Sequence, residues 1–360
     1  MPPSYPRASA IALVQPQHAW FLFLIAMILL FAFLLPSRAA DISSQAGTKT
    51  GTFLKFEPGG RQSAMGGTYA AYGSDVFALW GQPAALGSAP RAWQVGFQHA
   101  ELFQGVTQEY LGIAGGFGDR SRVGLVVNTV GIDDLLRTTE NAGGQLTGTG
   151  GTFGARDLAV ALNYGIQMSE YITLGAAAKY VGSEIDDVRA SGFAADFGVQ
   201  MRLRNIEDLT IGASVTNVGT GLKFIRTRDD FPTTFRLGAA YRIRSMKLLL
   251  AADAVKSLDR DFDGGVGAEW RPVEILKLRV GYRTQGDDVG EGLTAGLGVN
   301  LAGLEIDYAY VPYGVLGDAH RVSAAYLFGG GRENIEPAGS AAPETPEPVR
   351  ASRVRVLKRP

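Results

Sequence analysis

From Trp93 to Phe328 the chain alternates, an apolar residue followed by a small or polar one, segment after segment. Trp93, Val95 and Phe97 alternate with Gln94, Gly96 and Gln98, and Leu158, Val160, Leu162 and Tyr164 alternate with Asp157, Ala159, Ala161 and Asn163. Phe197, Val199, Met201 and Leu203 stand against Asp196, Gly198, Gln200 and Arg202. Phe235, Leu237, Ala239, Tyr241 and Ile243 likewise face away from Arg236, Gly238, Ala240 and Arg242. Leu293, Ala295, Leu297 and Val299 against Thr294, Gly296, Gly298 and Asn300 complete the series. A period of two with unlike faces is that of a strand between two different surroundings.

Connection lengths separate a soluble sandwich from a membrane barrel. Gly118 to Ser121, Met168 to Glu170, Asn205 to Asp208, Arg244 to Met246, Arg271 to Ile275 and Leu301 to Gly303 are tight, and the connections between them are longer. The longest runs from Gly131 to Ala155 and is rich in Gly and Thr. Tight turns on one rim with longer loops on the other predict an all-β fold, a transmembrane antiparallel β-barrel of about 14 strands, each of roughly ten residues. An even strand number puts both termini in the periplasm. Tyr164, Tyr171, Tyr180, Tyr241, Trp270, Tyr282, Tyr308, Tyr310 and Tyr326 fall near strand ends, where an aromatic belt would sit.

One stretch does not alternate. From Arg61 to Leu86, Ala, Gly, Met and aromatic residues cluster without a two-residue period, which predicts a compact plug (56–91) inside a barrel spanning 92–328. Helical turns fit Val76 to Trp80, with Pro83 as a stop. Its expected contact residues are Arg61, Met65, Gly66, Gly67, Asp75 and the run Gln82, Pro83, Ala84. The 48 glycines, placed inside strand segments, fit close backbone approach in a small-residue lumen.

Residues 1–39 have the order of an export signal: Arg7, the apolar run Trp20 to Leu35, Pro36, then Ser37, Arg38 and Ala39 at a cleavage site. Residues 40–55 read as a flexible lead-in. A Gly-rich break at 329 opens a Pro/Ala/Glu tract with a basic end, a disordered periplasmic tail over 329–360. The absence of cysteine excludes a lipid-modified N-terminus and any disulfide framework. A formal net charge of −1 with no recurring basic face argues against nucleic acid as a partner. The membrane assignment makes outer-membrane lipid the first partner.

On the polar face Arg202, Arg236, Arg242, Arg279, Arg283, Asp196, Asp253, Glu269 and Asp307 form an expected lumenal ion-pair network that fixes the plug. Asp259, Asp261 and Asp263, followed by Gly264, match the first half of a calcium loop, but position 12 is Trp270 and Glu269 falls one short. No cofactor is expected beyond a weak surface calcium ion. Outside the signal the histidines are His99 and His320, near the loop ends of the first and last strands. Ser323 or Asp318 beside His320 would be needed for a hydrolytic arrangement, with no nucleophile elbow or metal-spaced histidine pair to support one. The chain is therefore read as non-enzymatic.

The last hairpin, Asp307-Tyr308-Ala309-Tyr310-Val311-Pro312-Tyr313-Gly314 with Leu316-Gly317 and His320-Arg321, resembles the closing hairpin of the PorV/PorQ family of outer-membrane proteins. Ser214 to Gly219, Phe231 to Gly238 and the plug from Arg61 to Leu86 carry the same resemblance, which spans about Phe53 to Phe328. That family is similar in turn to FadL-type fourteen-stranded barrels, whose N-terminal hatch has an Asn-Pro-Ala signature; here the positions read Gln82-Pro83-Ala84. The resemblance implies one of two roles. One is binding secreted cargo proteins or secretion machinery at the cell surface, as in type IX secretion, through the loops Gly131 to Ala155 and Asn217 to Asp230. The alternative is uptake of hydrophobic small molecules.

Overall fold

The computed structural model describes residues 49–89, 92–204, 206, 208–260, 262–284 and 292–329. The export signal, the tail beyond 329 and Asp261 lie outside these.

Fourteen antiparallel strands close into one barrel: β1 Trp93–Glu101, β2 Thr107–Gly116, β3 Ser121–Glu140, β4 Leu146–Gln167, β5 Ile172–Ile185, β6 Val188–Arg202, β7 Leu209–Gly219, β8 Thr234–Ile243, β9 Leu248–Ser257, β10 Phe262–Val273, β11 Leu276–Thr284, β12 Gly292–Leu301, β13 Leu304–Pro312 and β14 Asp318–Phe328. Each strand pairs with its chain neighbours, and β14 closes onto β1 from Trp93↔Phe328 to Glu101↔His320. Every sheet edge is thereby satisfied, as a backbone surrounded by hydrocarbon requires.

The distribution of side chains is inverted relative to a soluble protein. Phe97, Leu162 and Leu293 are 50%, 60% and 64% exposed, whereas Gln98, Asn163 and Arg279 are 0%, 0% and 4% exposed. Leucines outside and amides and guanidiniums inside fit a barrel whose outer face meets lipid. Tyr164, Tyr180, Trp270 and Tyr326 lie on that outer face, but Tyr241, expected with them, is buried.

The interior is filled by 52–89. A 3-10 turn at Thr52–Lys55 buries Phe53 and Leu54, so the described end of the lead-in is packed into the barrel mouth. Short helices α1 (Gly60–Ala64) and α2 (Ala85–Ser88) flank a 3-10 turn at Ala78–Trp80, and α2 starts just after Pro83. The plug packs because the lumenal wall is cut back to glycine where it passes. A Cβ at Gly212 would stand 1.9 Å from the Ala70 carbonyl oxygen, and one at Gly175 would stand 2.2 Å from the Pro83 carbonyl carbon. Gly198, Gly265, Gly281 and Gly296 make the same room for Gln82, Gly66, Met65 and Ala64.

Two connections differ from the sequence reading. The stretch 131–155 is not an open loop. β3 and β4 continue through most of it as a ribbon turned at Asn141 to Gln145, and they are 20 and 22 residues long where about ten suffice to cross a bilayer. Its Thr residues suit a pleated surface, and register shifts after Ile132 absorb Asp133 and Asp134. The stretch 217–230 folds inward. Leu222–Lys223 pairs with Arg228–Asp229, Leu222 and Phe231 are buried, and Thr50 N–H donates to the Asp230 carbonyl at 3.0 Å, so this loop covers the plug entrance.

Candidate functional site: a plugged lumen with two vestibules

Alternation puts every second strand residue in the lumen, and the plug presents matching groups. Glu57 meets Arg236 at 2.9 Å and Arg283 at 3.1 Å, and its backbone carbonyl accepts from Arg321. Burial pushes the Glu57 carboxyl up, but Arg283, Arg236 and Arg321 together hold it below its ordinary value. Arg236 also reaches Asp253 at 3.1 Å and the Gly67 carbonyl at 2.9 Å, and its guanidinium lies 4.1 Å from the Tyr69 ring centroid. Asp253 accepts the N–H groups of Tyr69 and Ala70 at 3.0 and 3.1 Å. Arg236 and Asp253 thus hold one turn of the plug from both sides.

A second cluster holds α1. Arg61 meets Glu269 at 2.8 Å, Arg279 meets the same carboxylate at 2.9 Å and Asp307 at 2.6 Å, and Lys277 bridges to Glu305. Within the plug Asp75 accepts from the N–H groups of Phe77 and Ala78 at 3.0 and 2.9 Å, capping the turn before Trp80, and from Gln62 at 2.8 Å. Burial raises the Asp75 carboxyl, and Arg61 offsets only part of that rise.

Gln82 answers the question its departure from Asn poses. Its side-chain amide donates to the carbonyls of Ala70 at 3.0 Å, Ala213 at 3.2 Å and Val199 at 3.4 Å, so the longer side chain ties the plug to itself and to β6 and β7. Met65, Gly66 and Gly67 lie against β10, β11 and Arg283, and Pro83 and Ala84 against β5 and β6.

Among the described residues two sizeable cavities flank the plug. The loop-side vestibule, about 310 Å³, lies between Thr52–Glu57, Tyr69, Trp80 and the long-loop ends of the strands, with Phe56, Phe103 and Tyr313 as an aromatic wall. The turn-side vestibule, about 330 Å³, lies beneath Ala71–Ser74 and Gly87–Ala89, lined by Arg122, Arg202, Arg204, Arg242 and Arg244. The expected lumenal residues therefore separate. Arg236, Arg279, Arg283 and Asp307 belong to the two plug-holding clusters, while Arg202 and Arg242 line the turn-side vestibule.

Lys179 escaped the sequence reading. It pairs with Asp196 at 2.6 Å, donates to Asn217 and the Trp80 carbonyl at 3.1 and 3.2 Å, and lies 4.5 Å from the Trp80 ring centroid. Its inward place in β5 was readable from the alternation of Ala177, Lys179 and Val181. Glu57 and Arg321 escaped likewise, although Arg321 occupies a lumenal position in β14.

The other candidates are placed as follows. Asp259 is engaged by Lys55 at 2.6 Å and by Ser257 at 2.5 Å, and Asp263 by Arg260 at 3.4 Å. Among the described residues no cluster of three metal-ligating side chains forms. His99 meets Glu109 at 2.5 Å and His320 meets the Tyr308 hydroxyl at 2.8 Å, both exposed. Ser323 faces the lumen and accepts the Gly60 N–H at 3.0 Å, so β14 itself separates it from His320.

In fold the chain, a closed barrel of fourteen antiparallel strands, is similar to solved outer-membrane channels that include a FadL homologue. It is similar to the Pseudomonas putida toluene transporter TodX, with a TM-score of 0.59 and 15% identity over 76% of this chain and 100% of that one. It is also similar to the Ralstonia pickettii toluene transporter TbuX (0.57, 16%, 76% and 98%) and to a Pseudomonas aeruginosa FadL homologue (0.52, 12%, 76% and 98%). No family model matches the sequence, and no curated protein matches it significantly. The PorV/PorQ assignment thus gains no family match, and the secretion role with its cargo or machinery partners finds no support among these neighbours.

Proposed function

We propose that this protein is an integral outer-membrane channel that admits small hydrophobic molecules, with the N-terminal plug as its gate. The observation that carries the reading is that the plug separates a loop-side from a turn-side vestibule in one lumen and is anchored through Gln82, Arg236, Asp253 and Glu269. Each vestibule falls near the lower end of the size range of small-molecule sites. Likeness in fold to the toluene transporters TodX and TbuX supports the same class of cargo. With tight turns toward the periplasm, a molecule would enter beside Phe103 and Tyr313 and leave beneath Ser74 and Ser88.

The test is uptake of labelled toluene by a Gram-negative host that lacks its own channel of this type. Cells expressing the protein should take up toluene several-fold faster than vector controls. Equal rates, with folded protein in the outer membrane, would overturn the reading.

A further inference from the structure

The turn-side mouth of the barrel and the chain that leaves β14 carry opposite charge. Five arginines line the turn-side vestibule, against Glu170 and Asp208 among the described lining residues, and Asp208 is taken by Arg244 at 2.6 Å. Arg242 is half-buried at a lumenal position of β8. Arg204 is exposed at the rim, with its guanidinium 5.8 Å from the Tyr171 ring centroid. Among the described residues neither Arg204 nor Arg242 has a carboxylate oxygen within 4.0 Å.

β14 ends on this same side, with Phe328 paired to Trp93, and residues 330–360 follow it. Over residues 333–348 that chain holds Glu333, Glu336, Glu344 and Glu347 and no lysine or arginine. Pro337, Pro343, Pro346 and Pro348 are set among the glutamates. Their fixed φ reduces the backbone freedom lost on docking, and their rings suit the apolar flank that Leu203, Ala240 and Leu249 give the vestibule. The reach is sufficient. Fourteen strands about 4.8 Å apart and tilted about 40° enclose a mouth roughly 30 Å across. At about 3.3 Å per extended residue, Glu344 lies within roughly 50 Å of Gly329, enough to cross the mouth. The basic run over 350–359 is repelled by the same arginines, which selects the acidic part of the tail.

We propose that residues 333–348 fold back onto the turn-side vestibule and close the exit of the lumen, with their carboxylates on Arg204 and Arg242. The planar guanidinium suits a glutamate carboxylate by paired N–H donation. The docking stands on charge and reach; its effect on transport rests on the channel reading.

The chain contains no cysteine, so spin labels on Thr345→Cys in the tail and on Met246→Cys in the exposed turn after β8 report one distance in the full chain. In a neutral maltoside the labelled protein should give a narrow distance distribution, shorter than the roughly 30 Å mouth. Salt at about 1 M, where the screening length falls to about 3 Å, should broaden it. Glu→Gln at all four tail glutamates should broaden it likewise, and so should Arg204→Gln combined with Arg242→Gln. Arg189→Gln, on the far rim beside Glu184, should leave it narrow.

A distribution already broad in the labelled parent, or a narrow one that survives both sets of substitutions, would overturn the proposal. The same coupling between singly labelled copies mixed together would place the tail in a neighbouring barrel and overturn it too. Cells carrying the four-glutamine tail should take up toluene several-fold faster than cells carrying the parent. Equal uptake by the two, above vector controls, would sink the closing role and leave the channel standing. No uptake by either would sink the channel, with the label distances still deciding whether the tail docks.

Discussion

Gln82 is buried against two strands, and its amide joins Gln200 and Ser214 in bonding the plug to β6 and β7, at the level of Gly198 and Gly212. Replacing Gln82 by Ala removes its donor from the Val199 and Ala213 carbonyls, while Gln200 still donates to the Ala70 carbonyl at 3.0 Å, a loss of about 1–3 kcal/mol. Gln82→Ala should therefore lower the melting temperature and raise leak conductance in planar bilayers; unchanged conductance would show that the plug is held elsewhere. An amide at this position was pointed to only by the resemblance to the Asn-Pro-Ala hatch signature, from which Gln82 departs by one methylene. Its partners were not legible, because Val199 and Ala213 lie 117 and 131 residues away and the bonds go to backbone. The lumenal charges were readable by alternation, but alternation assigns a face and not a height. Arg236 and Arg242 therefore looked equivalent, although one grips the plug and the other lines an opposite vestibule.

At the scale of elements, the plug and wall are joined by buried ion pairs whose partners come from distant parts of the chain. Glu57 is the clearest case. Its carboxyl is held below the ordinary value of 4.5, so its pairing with Arg236 and Arg283 stabilises the closed plug fully above that value and fades as pH falls through the lowered one. The Glu57-dependent part of the leak, read as the difference between Glu57→Gln and the parent protein, should be constant from neutral pH to about pH 5 and shrink below about pH 4. In Glu57→Gln the leak should already be high at neutral pH, with a smaller further rise on acidification than in the parent; an identical rise in both would assign it to other carboxylates. The strands themselves were legible, since a period of two persists through each. The ribbon made by β3 and β4 was not. Its Gly and Thr composition reads as loop, and only pairing across the hairpin gives it order. The loop after β7 misled for the opposite reason, because Leu222 and Phe231 fold it back onto the plug.

For the whole molecule, the decisive feature is inversion: apolar side chains outside, amides and ion pairs inside, and a plug where a hydrophobic core would be. That arrangement was predictable from alternation combined with turn lengths, because both follow from strands crossing a hydrocarbon layer. Function was less legible. The closing hairpin pointed to secretion, yet its residues are largely those that close the barrel and bond to the plug: Arg321 to Glu57 and Tyr313, Ser323 to Gly60. Residues that serve closure and plug attachment carry little information about cargo.

The most direct measurement locks the plug and asks whether transport stops. The chain contains no cysteine, and a Cβ at Gly238 would stand 2.9 Å from the Cβ of Ala70 and 2.0 Å from Asp253 Oδ1, so the pair reaches disulfide spacing once the Asp253 carboxylate moves aside, a displacement common to the oxidised and reduced states. Toluene uptake by cells carrying Ala70→Cys with Gly238→Cys should fall to the vector baseline when oxidised and recover on reduction. Uptake equal in the oxidised and reduced states would contradict a gating plug.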